Sequence, residues 1–202
     1  MRHSKKTYYY NNFNPLYPIG EKFTMCMIPN DWERCVEFHG HSCPGLAIGY
    51  RACEAAREHL NLRFAKDEEL VCVTENDACG VDAVQLLTGC TLGKGNLIFR
   101  ATGEMAFSFF CRQNGRKLRL VFKPAFPGKD MDREACQKHI LSAPLDELFD
   151  CKEPAYEPPS RARLFNRLVC AHCGEGMAEN TGRLEDGKTV CLDCHDSYSR
   201  GW

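Results

Sequence analysis

The sequence predicts an α+β protein: a mixed helix and strand core followed by a small four-cysteine module of zinc-ribbon or treble-clef type. Three observations predict it. Helical and extended patterns follow one another without regular alternation, which disfavours a doubly wound sheet. A proline-rich stretch, CKEPAYEPPS, interrupts the pattern at 151–160. Beyond it stand two Cys-x-x-Cys pairs. The expected organisation is an N-terminal arm over 1–27, a core over 28–150, a linker over 151–160 and a metal module over 161–202.

In the core, Asn30 with Glu33 three residues later reads as a capping box for a short helix ending near Phe38. His39-Gly40-His41-Ser42 breaks it. A second helix starts at Cys43-Pro44, since proline suits the first helical position, and runs to about Leu60. Gly45, Gly49 and Cys53 recur at four-residue spacing, which gives this helix a face that a neighbour can approach closely. Residues 70–74 read as a buried strand and Cys79 to Leu87 as a helix. GCTLGKGN (89–96) reads as a glycine-rich loop, and 97–100, 105–111 and 117–123 as strands. Asn114-Gly115 marks a hairpin between the last two. Asp130 to Leu141 reads as a helix, with one further turn over Leu145 to Phe149.

Composition narrows the function classes. Hydrophobic residues make up 44% and charged residues 26%, enough for a packed core, and the formal net charge is −1. No overall field favours nucleic acid or an anionic membrane. No run of about 18 apolar residues could cross a bilayer. The N-terminal residues hold no apolar stretch of the signal-peptide kind. The expectation is therefore a cytoplasmic protein whose 14 cysteines are reduced.

Cys170, Cys173, Cys191 and Cys194 are expected to hold one structural zinc ion. Each Cys-x-x-Cys turn presents two thiolates to one side, and two facing turns complete a tetrahedron. A segment of this size cannot bury enough apolar surface to fold alone, so the metal supplies its stability. Four buried thiols or two disulfides are the alternative. Arg161, Arg163 and Arg167 precede the module, but its six acidic residues argue against a nucleic-acid partner.

The second constellation is FHGHSCPG (38–45). His39, His41 and Cys43 alternate in the break between two helices, and Cys43 stands where a helix dipole favours its thiolate. Asp77 and Cys79 lie between a strand and a helix, and Cys90 lies in the glycine-rich loop. Sulfur and imidazole suit zinc, iron or another borderline-soft metal. The six residues are therefore candidates for a second metal site in the core, of unassigned metal. Cys43 with His41 is also a candidate nucleophile and base. The bland alternative makes Cys79 and Cys90 core thiols and the two histidines capping residues.

These motifs resemble the FmdE family of formylmethanofuran dehydrogenase-associated proteins, whose hallmark is FHGHxCPG; here it is Phe38 to Gly45. The resemblance continues through GYRA (49–52), ENDAC (75–79), VDA (81–83) and GCTLGKGN (89–96). It implies an α+β core that pairs into a homodimer, with the His and Cys positions forming a metal or active site. The terminal module resembles the zinc-finger appendage of some members. The expected function is a metal-dependent accessory of a molybdenum or tungsten formylmethanofuran dehydrogenase-like redox system, with that enzyme's subunits as partners. Its alternative is a non-catalytic metal-binding or regulatory adaptor whose zinc module docks a partner.

Overall fold

The computed structural model describes residues 30–124 and 131–198. The expected N-terminal arm and the start of the helix expected from Asp130 lie outside these residues. Asn30 opens the first helix, α1 (Asp31–His39), with both halves of the capping box in place: Glu33 N–H donates to Asn30 Oδ1 at 2.9 Å, and Asn30 N–H to Glu33 Oε2 at 3.0 Å. Gly40 ends it at φ +89°, a left-handed conformation that glycine adopts without a Cβ penalty. α2 (Pro44–Leu60) begins with proline at its first position and Cys43 as its cap.

β1 (Leu70–Thr74) leads through α3 (Gly80–Thr88) to β2 (Leu97–Phe99), which pairs parallel to β1. β3 (Ala106–Cys111) pairs antiparallel to β1 on its other side, and β4 (Lys117–Phe122) pairs antiparallel to β3 across the expected hairpin. α4 (Arg133–Ser142) is capped by Asp132, and α5 (Leu145–Leu148) is the further turn. β5 (Phe149–Lys152) then adds antiparallel to β4, giving a mixed sheet in the order β2-β1-β3-β4-β5.

β5 was not expected. The segment read as a linker from Cys151 instead begins inside the core sheet, as an edge strand with only Phe149 fully buried. The next residues also lie on the core. Tyr156 stacks at 5.7 Å on Phe110 and joins Val71 and Val73 on one sheet face. Arg112 donates to Pro159 O, and Ala162 N–H to Glu68. The helices cover the opposite face, where Cys72, Leu97, Phe107, Phe109, Leu118 and Leu120 point into the main core. Strand alternation separates the two faces.

The terminal module is two short hairpins, β6 (Arg167–Val169) with β7 (Gly176–Ala178), and β8 (Arg183–Glu185) with β9 (Lys188–Val190). Among its described residues only Cys170 and Val190 are buried. No helix among the described residues is long and apolar enough to cross a membrane.

Candidate metal centres

The core site is assembled where three helix ends meet. The C-terminal end of α1 carries His39, and the turn at Gly40 brings His41 back beside it, with ring centroids 4.4 Å apart. Cys43 caps α2 and Cys79 immediately precedes α3. The two helices approach through glycine: a Cβ on Gly80 would lie 2.9 Å from Gly45 O and 3.0 Å from Gly49 Cα, and one on Gly49 would overlap the Gly80 backbone. This contact sets the two cysteines face to face.

One donor atom from each of His39, His41, Cys43 and Cys79 lies within 4.8 Å of the others. A tetrahedron built on bonds of about 2.0–2.3 Å spaces its donors by roughly 3.3–3.8 Å, so small side-chain movements close the group around one ion. His39 shows the fit most directly. Its Nδ1 lies 2.7 Å from Asp82 Oδ2, and an ionised carboxylate can only accept, so Nδ1 carries the proton. Nε2 is then the ligating nitrogen, and it is buried without a hydrogen-bond partner. Leu46 N–H donates to Cys43 Sγ at 3.3 Å. Burial, then the neighbouring Cys43, pushes the Cys79 thiol up.

Access is uneven. Cys43 is 3% exposed, so it does not present a free nucleophile to solvent, whereas His41 is exposed. His39 and Cys79 form part of the wall of a cleft of ≈ 410 Å³, together with Asp77, Asp82, Leu92 and Phe99.

Two of the six core candidates fall outside the group. Asp77 is exposed on the cleft wall, two residues before Cys79. Cys90 is fully buried, lies 3.6 Å from Leu70 O, and is pushed up to about 11 by burial. The reason is the length of α3. Cys79 stands before this nine-residue helix and Cys90 after it, about 14 Å apart along the axis. Cys90 is thus a core thiol, and the expected convergence of Cys43, Cys79 and Cys90 is corrected to Cys43 and Cys79. Asp82, which the sequence pattern did not single out as a site residue, takes the orienting role.

In the terminal module, Cys170, Cys173, Cys191 and Cys194 also bring their sulfurs within 4.8 Å of one another. Backbone N–H groups stabilise the sulfur as thiolate: Cys191 N–H donates to Cys170 Sγ at 3.3 Å, and bonds from Cys173 and Cys191 bring the Cys170 thiol down to about 6. Hydrogen bonds with Cys191 and Cys173 push Cys194 up to about 12, so the four sulfurs share charge as one unit. His195 pairs with Glu185 at 3.0 Å, and His172 is exposed. Neither belongs to the group.

Residues 38–150 match the protein family described as "FmdE, Molybdenum formylmethanofuran dehydrogenase operon". The chain is similar to a "Probable S-adenosyl-L-methionine-binding protein" of Archaeoglobus fulgidus, at 29% identity over 82% of this chain and 52% of the relative. The chain thus spans about half the length of that curated relative. Its fold resembles the crystal structure of a tungsten formylmethanofuran dehydrogenase FmdE-like protein from Syntrophus aciditrophicus. The TM-score is 0.61 at 22% identity, covering 81% of this chain and 91% of that one.

Proposed function

The chain belongs to the FmdE family, and from that premise we propose that it is a two-centre metal protein acting beside a molybdenum or tungsten formylmethanofuran dehydrogenase-like redox enzyme. His39, His41, Cys43 and Cys79 hold the core metal, and the four terminal cysteines hold a structural zinc ion. The observation that carries this reading is His39, clamped at Nδ1 by Asp82 while its buried Nε2 faces three further donors. Carboxylate–imidazole pairs of this kind fix a metal-binding tautomer.

A divalent ion at the core site supplies Lewis acidity and takes both cysteines as thiolates. The chain's own groups divide the remaining work. Asp82 orients His39, Cys43 seals the inner side, and His41 is the exposed donor, free to yield its position to a ligand. The His39–Cys79 edge opens on the cleft, which admits that ligand. As in the family resemblance, the working unit is taken to be a homodimer, in the cytoplasm, with the redox enzyme's subunits as partners.

A second reading, a non-catalytic adaptor, is favoured by the surface of the module, where Leu164, Val169, Leu184, Leu192 and Tyr198 are exposed. One experiment separates the two. Purified full-length chain is combined with formylmethanofuran dehydrogenase subunits, and both complex formation and redox turnover are measured for wild type, His39→Ala and a Leu184→Ser/Leu192→Ser variant. Turnover lost in His39→Ala with the complex intact supports the accessory role. Complex lost only in the double variant, with turnover indifferent to His39, supports the adaptor. Titration with S-adenosyl-L-methionine in the same preparation tests whether the ligand named for the archaeal relative extends to this shorter chain.

A further inference from the structure

We infer that Cys43 and Cys79 form a peroxide-reactive dithiol in which Cys79 is oxidised first and Cys43 then closes an intramolecular disulfide. This goes beyond the proposed function, because the reaction needs no bound metal; only the metal-release readout below rests on that reading.

The two sulfurs lie within 4.8 Å of one another, and no side chain separates them at Gly45. A Cβ there would stand 3.7 Å from Cys79 Sγ and 3.9 Å from Cys43 Sγ, in the space beside both thiols. A disulfide needs a separation of about 2.05 Å, so the reaction asks for rotation of the two side chains toward each other. The Gly49–Gly80 contact holds their helices in register meanwhile. Both thiols stand at helix N-termini, where negative charge on sulfur is favoured, and Leu46 N–H points at Cys43 Sγ.

Access gives the order. Cys79 lines the cleft and is partly exposed, whereas Cys43 is 3% exposed behind it. A hydroperoxide entering the cleft meets Cys79 first. The Cys79 thiolate attacks one peroxide oxygen, the O–O bond breaks, and the departing oxygen leaves as hydroxide and is protonated to water. The sulfenic acid on Cys79 is then attacked by the Cys43 thiolate, forming the S–S bond and releasing the second oxygen as water. Two thiols and one hydrogen peroxide become one disulfide and two waters, the two electrons passing from sulfur to oxygen.

The other core thiols lack this arrangement. Cys53, Cys72 and Cys90 are fully buried, and burial pushes each of them up. The terminal cysteines are the competing target, and mapping of the linked residues distinguishes the two.

The test uses full-length chain freed of metal with a chelator under anaerobic conditions, then treated with hydrogen peroxide and mapped by non-reducing mass spectrometry. The expected product links Cys43 to Cys79, about tenfold above any link from either to Cys53, Cys72 or Cys90. Cys43→Ser should accumulate a dimedone-trapped sulfenic acid at Cys79, and Cys79→Ser should leave Cys43 unmodified. Should either variant fail to fold, iodoacetamide labelling of wild type decides the order, with Cys79 modified before Cys43. Absence of the link, or Cys43 reacting first, overturns the inference. Zinc-loaded chain treated in parallel should release core zinc to 4-(2-pyridylazo)resorcinol as the link forms. A chain that cross-links but never binds core metal contradicts the proposed function alone; one that binds metal but never cross-links contradicts only the dithiol.

Discussion

Asp82 holds His39 from behind: its carboxylate lies 2.7 Å from Nδ1, so the imidazole turns a buried, unpaired Nε2 toward His41, Cys43 and Cys79. The contact joins α3 to the end of α1, so the orientation of one ligand depends on the packing of two helices. Asp82→Ala should weaken core metal affinity by about 10–100-fold, read by competition with a chromophoric chelator. The terminal metal should be unaffected.

The glycine contact between α2 and α3 is equally direct. Gly49→Ala places a methyl group against the Gly80 backbone, which cannot move aside as a flexible side chain could. Overpacking of this kind costs about 1–3 kcal/mol. Urea unfolding should show that loss, and the core metal should bind more weakly because Cys43 and Cys79 are pushed apart. Ala52→Gly, on the same helix but away from this contact, should leave metal affinity unchanged.

Glu75 and Arg119 anchor the segment between β1 and α3 from the sheet. Arg119 Nε and Nη2 donate to the two carboxylate oxygens of Glu75 at 2.8 and 2.6 Å, and Glu75 is 3% exposed. Arg119→Ala leaves that carboxylate buried without its counter-charge, and should cost about 3–5 kcal/mol in urea unfolding. Replacing both residues together with apolar ones should cost less than Arg119→Ala alone.

Stability should also fall at acid pH through Asp31. Arg57 at 2.7 Å, with Arg34 at 2.8 Å, holds the Asp31 carboxyl below its ordinary value. A lowered folded value means the contribution is complete above the unfolded carboxylate value of about 3.9. It disappears as pH falls through the folded value. The pair is half exposed, so solvent screening limits it to about 1 kcal/mol or less. Asp31→Asn should be the less stable protein at neutral pH and equal to wild type once the Asp31 carboxyl is protonated in both the folded and the unfolded chain.

Chelation should unfold the terminal module and spare the core. With only Cys170 and Val190 buried among its described residues, the module has almost no apolar core of its own, and its folding depends on metal. Amide exchange should show residues 167–194 losing protection in chelator while β1 and β3 keep theirs. Cys194→Ser should do the same without chelator.

Much of this was written locally in the sequence. Asn30 with Glu33, Cys43-Pro44 and the four-residue spacing of Gly45 and Gly49 each report a short-range rule, and each appears in the fold. The core group was half legible, because His39, His41 and Cys43 are neighbours in the chain. Including Cys90 ignored a helix length that was already legible: nine residues of α3 part it from Cys79. Asp82 escaped because its role exists only once α1 packs on α3. β5 was hidden for another reason. Its four residues run into a proline-rich segment, and their half-buried alternation is too short to stand against that signal.

The central claim is that the core holds a metal of its own between two imidazoles and two thiolates. Elemental analysis of purified full-length chain, paired with X-ray absorption at the metal edge, tests it most directly. The account predicts two metals per chain, falling to one in His39→Ala, with the lost ion's shell made of nitrogen and sulfur together. One metal per chain in both proteins, surrounded by four sulfurs alone, would contradict it.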